Sequence, residues 1–212
     1  MVVVFDLDDT LFQEMDFVRS AYRAIARIFG KEYLPGMLHS GSPREAFDST
    51  GLPIDVLLEI YRNHVPDVRL PWMSLYLLAS LKNAGHTLGL ITDGREVTQR
   101  NKIAALGLDR YIAKDMIFIS GVYGEGKITG KAMREIMERN PGERYMYVGD
   151  NPEKDFVRAN EYGWTTVGLI DSGNNVQHYN FGNYDGVLRP DLEIRNILEV
   201  LDFCKSWIGY TV

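Results

Sequence analysis

The sequence predicts a layered α/β protein: a parallel β-sheet with helices on its faces and a small helical insertion after the first strand. Three observations predict it. The short apolar runs Val2 to Phe5, Thr87 to Ile91, Met116 to Ile119, Tyr145 to Val148 and Thr165 to Ile170 have the unbroken hydrophobicity of strands buried on both faces. Helix-period segments such as Thr98 to Leu106 and Lys131 to Arg139 lie between most of them, and that alternation is the pattern of parallel sheets with crossover connections. The chain between Phe5 and Thr87 is far longer than one crossover helix needs, so it holds an insertion.

The first run continues into "VVVFDLDDTLF", an apolar strand that ends in three crowded carboxylates. Residues 15–34 read as a helix with Phe17, Ala21, Ala24, Ile25 and Ile28 on one stripe. In "SPREAF", Ser42 is placed to cap a helix, with Pro43 at its first position and Glu45 at its third. "PIDVLLEIYRNH" reads as a further helix, and "PWMSLYLLASLKNAG" as the helix leading into the second strand, with Gly85 to stop it. The predicted organisation is a core of residues 1–13 and 71–212 and a helical cap of residues 14–70. Loops at the carboxyl ends of parallel strands are where α/β proteins build their sites, so this insertion is expected to sit over the site as a lid.

Composition narrows the function. Of 212 residues, 45% are hydrophobic and 25% charged, the balance of a folded globular protein. A net charge of −6 argues against a broad nucleic-acid-binding face, which needs clustered Lys and Arg. It still permits a small phosphorylated ligand held by a few local cations. Cys204, in the helix-like stretch "ILEVLDFCKSW", is the sole cysteine; this excludes an intramolecular disulfide or a multi-thiolate metal site. With no secretory signal and no bilayer-length apolar run, the expectation is a cytoplasmic protein.

Four places carry candidate chemistry. In an extended chain Asp6 and Asp8 point to the same side, while Asp9 and Thr10 begin a turn; alone, this reads equally well as a solvated turn. In "LGLITDG", Thr92 follows a strand and offers a hydroxyl to an anionic oxygen, while Gly94 permits close backbone approach; taken alone, the segment is an ordinary strand-to-helix turn. In "SGVYGEGKITGK", Lys127 is a point charge suited to phosphate or a crowded carboxylate, with Lys131 the alternative. In "YMYVGDNPEKD", Asp150 ends a strand and can complete a hard oxygen site with Asp6, the kind Mg²⁺ prefers. Asp155 follows near a helix start, where a carboxylate is favourable in any case.

In this order at successive strand ends, D-x-D-x-T at 6–10, Thr92, Lys127 and G-D-x-x-x-x-D at 149–155 resemble the four motifs of the haloacid-dehalogenase-like (HAD) superfamily. "ITDGREVTQRNKIAALGL" looks most like its phosphoglycolate-phosphatase-like and nucleotidase-like members. One departure is Ile128, where many relatives carry proline after the lysine. The resemblance implies a Rossmann-like doubly wound core with a helical cap after strand one, and a Mg²⁺-dependent phosphatase acting on a small phosphorylated metabolite, with neither nucleic-acid polymer nor membrane as partner. It implies that Asp6 attacks phosphorus and that Asp8 moves the proton. Mg²⁺ would be held by the Asp6 and Asp150 carboxylates and the Asp8 carbonyl. Phosphate would be bound by Thr92, Asp93, Gly94 and Lys127, with Asn151 or Asp155 acting behind them. Dehalogenases generally lack an acid at the position of Asp8, which favours phosphorus chemistry. A sugar phosphomutase or a non-catalytic phospho-ligand module are the alternatives. Glu14, Phe17, Arg44, Arg62, Asp93 and Arg95 are candidates for specificity; for each a solvated face or core packing is the more ordinary role, and Arg95, directly after the Thr92–Gly94 segment, is the strongest of them.

Overall fold

The computed structural model describes residues 1–205. Strands β1 (Val2–Phe5), β2 (Thr87–Thr92), β3 (Ile117–Ile119), β4 (Tyr145–Gly149), β5 (Thr165–Leu169) and β6 (Leu192–Ile194) form one six-stranded sheet in the order β3-β2-β1-β4-β5-β6. Every pairing is parallel. The α/β class expected from the sequence is therefore borne out. All four residues of β1 are fully buried, which is why that strand is apolar on both faces.

The winding reverses between β1 and β4, and such a reversal opens a crevice outside the carboxyl ends of the strands. Phe5 is in register with Leu90 on one side and Val148 on the other. The residues that follow β1, β2 and β4 consequently emerge at one edge of the sheet.

Strand ends shift slightly from the sequence expectation. Thr92 and Gly149 belong to their strands, while Met116 closes a tight turn before β3 and β5 stops at Leu169. The sixth strand had no sequence signal, because "LEI" is too short to show a period and is flanked by Pro190, Asp191 and Arg195.

Helices α1 (Glu14–Phe29), α2 (Tyr33–His39), α3 (Pro43–Asp48) and α4 (Ile54–Asn63) fill the insertion. α5 (Trp72–Asn83), α6 (Glu96–Leu106), α7 (Ser120–Tyr123), α8 (Lys131–Arg139), α9 (Val157–Glu161) and α10 (Val200–Lys205) accompany the sheet. Among the described residues no helix is long and apolar enough to cross a membrane. Cys204 is buried on α10; Ser206 and Trp207 of the expected C-terminal helix lie outside the described residues.

The helix expected over 15–34 ends at Phe29, because Gly30 takes a positive φ of 135°. Its buried stripe also differs: Phe17, Val18, Ala21, Tyr22, Ile25 and Ala26 face inward, whereas Ile28 is 64% exposed. Ile28 lies about three turns beyond Phe17 on the same line of the helix, past the Tyr61 and His64 rings that cover Phe17. The Ser42 cap forms as expected, its hydroxyl accepting from the Glu45 N–H at 3.3 Å. The Glu45 carboxylate reaches back one residue further, to the Gly41 N–H at 3.0 Å.

The buried apolar side chains fall into two clusters. One surrounds the sheet, and the other joins Val18, Tyr22, Ile25, Ala26, Met37, Ala46, Phe47 and Leu57 of the inserted helices. Phe17 belongs to the sheet cluster but packs edge-on to Tyr61 at 5.3 Å and against His64 at 4.8 Å. These three rings form the seam between the insertion and the sheet.

His64 supplies a pH-sensitive point in that seam. Its Nδ1 lies 3.0 Å from the Tyr61 carbonyl oxygen, and its buried Nε2 has no partner among the described residues. Burial, reinforced by the charges of Lys102 and Arg23, lowers its pKa from the ordinary 6.5 against the opposing carbonyl contacts of Tyr61 and Ile60. The unfolded chain therefore binds more protons than the folded one as pH falls below that value, and stability falls with it. Between about pH 7.5 and about pH 5.5, urea midpoints of the wild type should drop further than those of His64→Phe. Parallel curves for the two proteins would contradict this assignment.

Candidate active site

Asp6 prolongs β1, its N–H donating to the Val148 carbonyl at 2.9 Å. Leu7 turns into the core, fully buried, so Asp6 and Asp8 share the other side and line one cavity of about 210 Å³. The alternation expected from strand geometry is thus realised at these two positions.

Asp9 then reverses the chain with φ +57°, a left-handed conformation that short Asp side chains tolerate. Its carboxylate accepts the Glu14 N–H at 2.9 Å, at the start of α1, and the Val176 N–H at 2.8 Å. One residue thereby ties the entry to the insertion and the β5–β6 loop to the site.

Lys127 and Asp155 form the floor. The Lys127 ammonium bonds Asp6 Oδ1 and, at 2.7 Å, Asp155 Oδ1. Asp155 is fully buried, and its Oδ2 accepts the N–H groups of Asp150 at 3.2 Å and Asn151 at 2.9 Å. Tyr147 adds its hydroxyl to Asp155 Oδ1 at 3.2 Å. Gly149 is required beside it, since a Cβ there would lie 2.4 Å from Asp155 Oδ2. The main chain of Lys127 is fixed as well, its N–H donating to Asp93 Oδ1 at 3.1 Å. Lys131, the sequence alternative, is exposed and pairs only loosely with Glu125 at 3.5 Å.

Burial and mutual repulsion set the electrostatics. Burial raises the Asp6 pKa to about 8 despite Lys127, and Asp155 and Asp8 push it the same way. Burial, Asp6 and Asp155 raise Asp150 to about 9. Burial works against the Lys127 ammonium, but Asp155 and Asp6 more than reverse it, leaving its pKa well above 10.5. Glu14, on the rim of the cavity, is raised to about 7 by burial and Asp8 against the pull of Lys102.

Asp6, Asp150 and Asp155 each bring a carboxylate oxygen within 4.8 Å of the others. Such a trio of hard oxygens suits a divalent cation. Asp155, however, has both oxygens committed to Lys127, Tyr147 and two backbone N–H groups. Asp6 and Asp150 are left as the donors that fit an ion. Asp150 Oδ2 is steadied by Asn175 Nδ2 at 3.1 Å.

Of the other residues singled out from the sequence, Thr92, Asp93 and Asn151 line the cavity. Gly94 is not brought to its wall: it turns with φ +153°, and its N–H donates to Ser120 Oγ at 2.9 Å. One oxygen of the Asp93 carboxylate, Oδ1, accepts the Lys127 main-chain N–H. Glu14 reaches the cavity, Phe17 is buried in the seam, and Arg44, Arg62 and Arg95 stand outside its lining.

Several residues around the site were not singled out from the sequence. Asn175, Val176, Gln177 and Tyr179 arrive on the β5–β6 loop, Tyr179 accepting from Asn151 Nδ2 at 3.0 Å. Gln99 and Lys102, on α6, are 1% and 2% exposed. Their signal was two polar residues three apart on the helix face that also carries the buried Ile103 and Leu106.

A family model for haloacid dehalogenase-like hydrolases matches residues 3–169. The chain belongs to this family. It is 23% identical to glyceraldehyde 3-phosphate phosphatase of Methanocaldococcus jannaschii, with 96% of each chain covered. It is 34% identical to the protein of the same name from Methanopyrus kandleri, over 61% of this chain and 54% of that one. The fold is shared with a 2-haloacid dehalogenase from Pseudomonas syringae pv. Tomato DC3000, at a TM-score of 0.66 and 21% identity over 97% of this chain and 98% of the other.

Removing Lys127 tests the electrostatic account of the floor. Lys127→Met leaves Asp6 and Asp155 buried without their cation, a loss expected to cost about 3–5 kcal/mol of folding stability. Urea denaturation of the variant measures it, and a loss below about 1 kcal/mol would mean that the pair behaves as a solvated one.

Proposed function

We propose that this protein is a phosphatase that hydrolyses a small phosphomonoester through an aspartyl-phosphate on Asp6. The observation that carries this reading is the pairing of two carboxylates with different surroundings on one wall. Asp6 is buried against Lys127, and Asp8, half-buried, faces the same cavity from the rim. The leaving group of an alkyl phosphate is a strongly basic alkoxide, so its departure calls for a proton donor beside the nucleophile.

In the first step an Asp6 oxygen bonds to phosphorus, the ester P–O bond breaks and the leaving oxygen takes the proton of Asp8. Asp8, now a carboxylate, accepts a proton from water as that water attacks phosphorus. Inorganic phosphate departs and the Asp6 carboxylate is restored. The ammonium of Lys127 lies against Asp6 where it can also meet a phosphoryl oxygen. The Thr92 hydroxyl and the main chain near Asp93 line the side where the other phosphoryl oxygens fit. Asp6 and Asp150 would hold Mg²⁺, with the Asp8 carbonyl as a further oxygen; the ion's contribution is to neutralise charge on the phosphoryl group. Asp155 holds Lys127 in place instead of binding the ion, in keeping with its four protein hydrogen bonds.

Residues 14–70 serve as the cap in this reading, with their own apolar cluster and the Phe17–Tyr61–His64 seam as the place where they meet the core. Closure over substrate would exclude water from the site. A cavity of about 210 Å³ suits a compact metabolite, and the relatives named glyceraldehyde 3-phosphate phosphatase make three-carbon phosphates the first substrates to try.

Purified protein is expected to release inorganic phosphate from glyceraldehyde 3-phosphate or a neighbour in a panel of small phosphomonoesters. EDTA should abolish the activity and Mg²⁺ restore it, while Asp6→Asn should lower kcat by about 10³-fold or more. Mg²⁺ should also raise the unfolding temperature of the wild type and not of Asp150→Asn, a readout independent of turnover. Absence of phosphate release across the panel, or undiminished activity in Asp6→Asn, would sink the proposal.

A further inference from the structure

A second buried lysine lies beside the site and has no part in the steps above. The Lys102 ammonium is 2.7 Å from Asp8 Oδ1 and 3.8 Å from Glu14 Oε1. It also stands 4.4 Å from the centre of the Phe17 ring and 5.8 Å from that of Phe12. Gln99, three residues earlier on α6, donates from Nε2 to Asp8 Oδ2 at 2.9 Å. One helix face therefore holds both oxygens of Asp8, which fixes the plane of the carboxylate as well as its position.

The Gln99 amide shows that this grip is built for the site. Its Nε2 also lies 2.6 Å from Thr92 Oγ1 and 3.0 Å from the Asp93 carbonyl oxygen, whereas its buried Oε1 has no partner among the described residues. Two of the three oxygens around Nε2 are obligate acceptors, so the amide must present its N–H groups to them. The side chain leaves its own acceptor unsatisfied to serve Asp8 and the Thr92–Asp93 turn.

Resting on the phosphatase reading, we propose that Lys102 and Gln99 are positioning residues that hold Asp8 in line for both of its proton transfers. As a base toward water, Asp8 needs a fixed carboxylate, and two donors supply that. As an acid toward the leaving group it must carry a proton on one oxygen, so one donor has to yield. Gln99 is uncharged and has two other acceptors within reach, so it yields while Lys102 stays. Lys102, packed on Phe17 of α1, sets that geometry against the first helix of the insertion.

Leaving-group dependence tests the proposal. An alkyl phosphate needs the proton of Asp8 to depart, and 4-nitrophenyl phosphate does not, because its leaving phenolate is already stable. Lys102→Met and Gln99→Leu are expected to lower kcat/KM for glycerol phosphate by about 10²-fold, the range of general acid catalysis, and for 4-nitrophenyl phosphate by less than about threefold. With the latter substrate both variants should show a burst of nitrophenolate equal to the enzyme, then a slow steady rate, because hydrolysis of the phosphoenzyme still needs Asp8. Lys102→Arg should recover part of the loss. Equal losses on both substrates without a burst, or no loss on either, would overturn the assignment. If circular dichroism shows Lys102→Met unfolded, Gln99→Leu decides by the same comparison. A wild type that releases phosphate from no member of the panel fails at the phosphatase reading instead, and removes the role of Asp8 on which this one depends.

Discussion

The site is organised around one buried cation. Lys127 reaches Asp6 at the end of β1 and Asp155 beyond the end of β4, while its main-chain N–H holds Asp93 just past β2. Three strand ends thus converge on a single residue that enters from the loop after β3 and α7. Burying an ammonium is costly unless partners surround it, and the partners here are the same carboxylates whose crowding would otherwise be costly. The sheet order makes the arrangement possible, because β1 lies between β2 and β4 and their termini open onto one crevice.

Lys127 does not balance the floor completely. With the lysine in place, burial still leaves Asp6 raised to about 8 and Asp150 to about 9. Asp155 is satisfied by four hydrogen bonds, but Asp150 has only the Asn175 amide among the described side chains. A carboxylate pair left in that condition gains more from a hard cation than a solvated pair would, since less water has to be displaced from it. The same crowding would therefore favour a divalent cation, which is a physical reason for Asp6 and Asp150 to be buried side by side at neighbouring strand ends.

How much of this was legible follows from where each residue sits. Thr92 closes β2, Asp6 and Asp150 follow β1 and β4 directly and Lys127 lies in the loop beyond β3, and a strand's alternation and apolar run fix where it ends. Asp6 and Asp8 facing one cavity, and Lys127 buried where Lys131 is exposed, agree with that reading. Gly94 was assigned to phosphate by position in a motif, yet its N–H is taken by Ser120, a partner from after β3 that no local pattern announces. The β5–β6 loop was opaque for a related reason. "SGNNVQHYN" has only the composition of a loop, and its role depends on three long-range bonds, Val176 to Asp9, Asn175 to Asp150 and Asn151 to Tyr179. β6 and the exposure of Ile28 were set by packing partners distant in sequence, which periodicity within one segment cannot report.

Asp6 and Asp8 are held by different lysines on different parts of the molecule, and the difference matches the roles proposed for them. Asp6 is gripped from within the core by Lys127, whose other partner, Asp155, is itself locked by the backbone of β4's exit. That mounting is fixed from within the core, which is what the proposed in-line attack on phosphorus would need. Asp8 is gripped by Lys102 and Gln99 from α6, and Lys102 rests against Phe17 and near Glu14, both on α1. Movement of α1 would therefore change the surroundings of Lys102 while leaving those of Lys127 intact. Under the proposed mechanism the nucleophile would then be permanently mounted, and the proton carrier would be the component that the inserted helices can adjust.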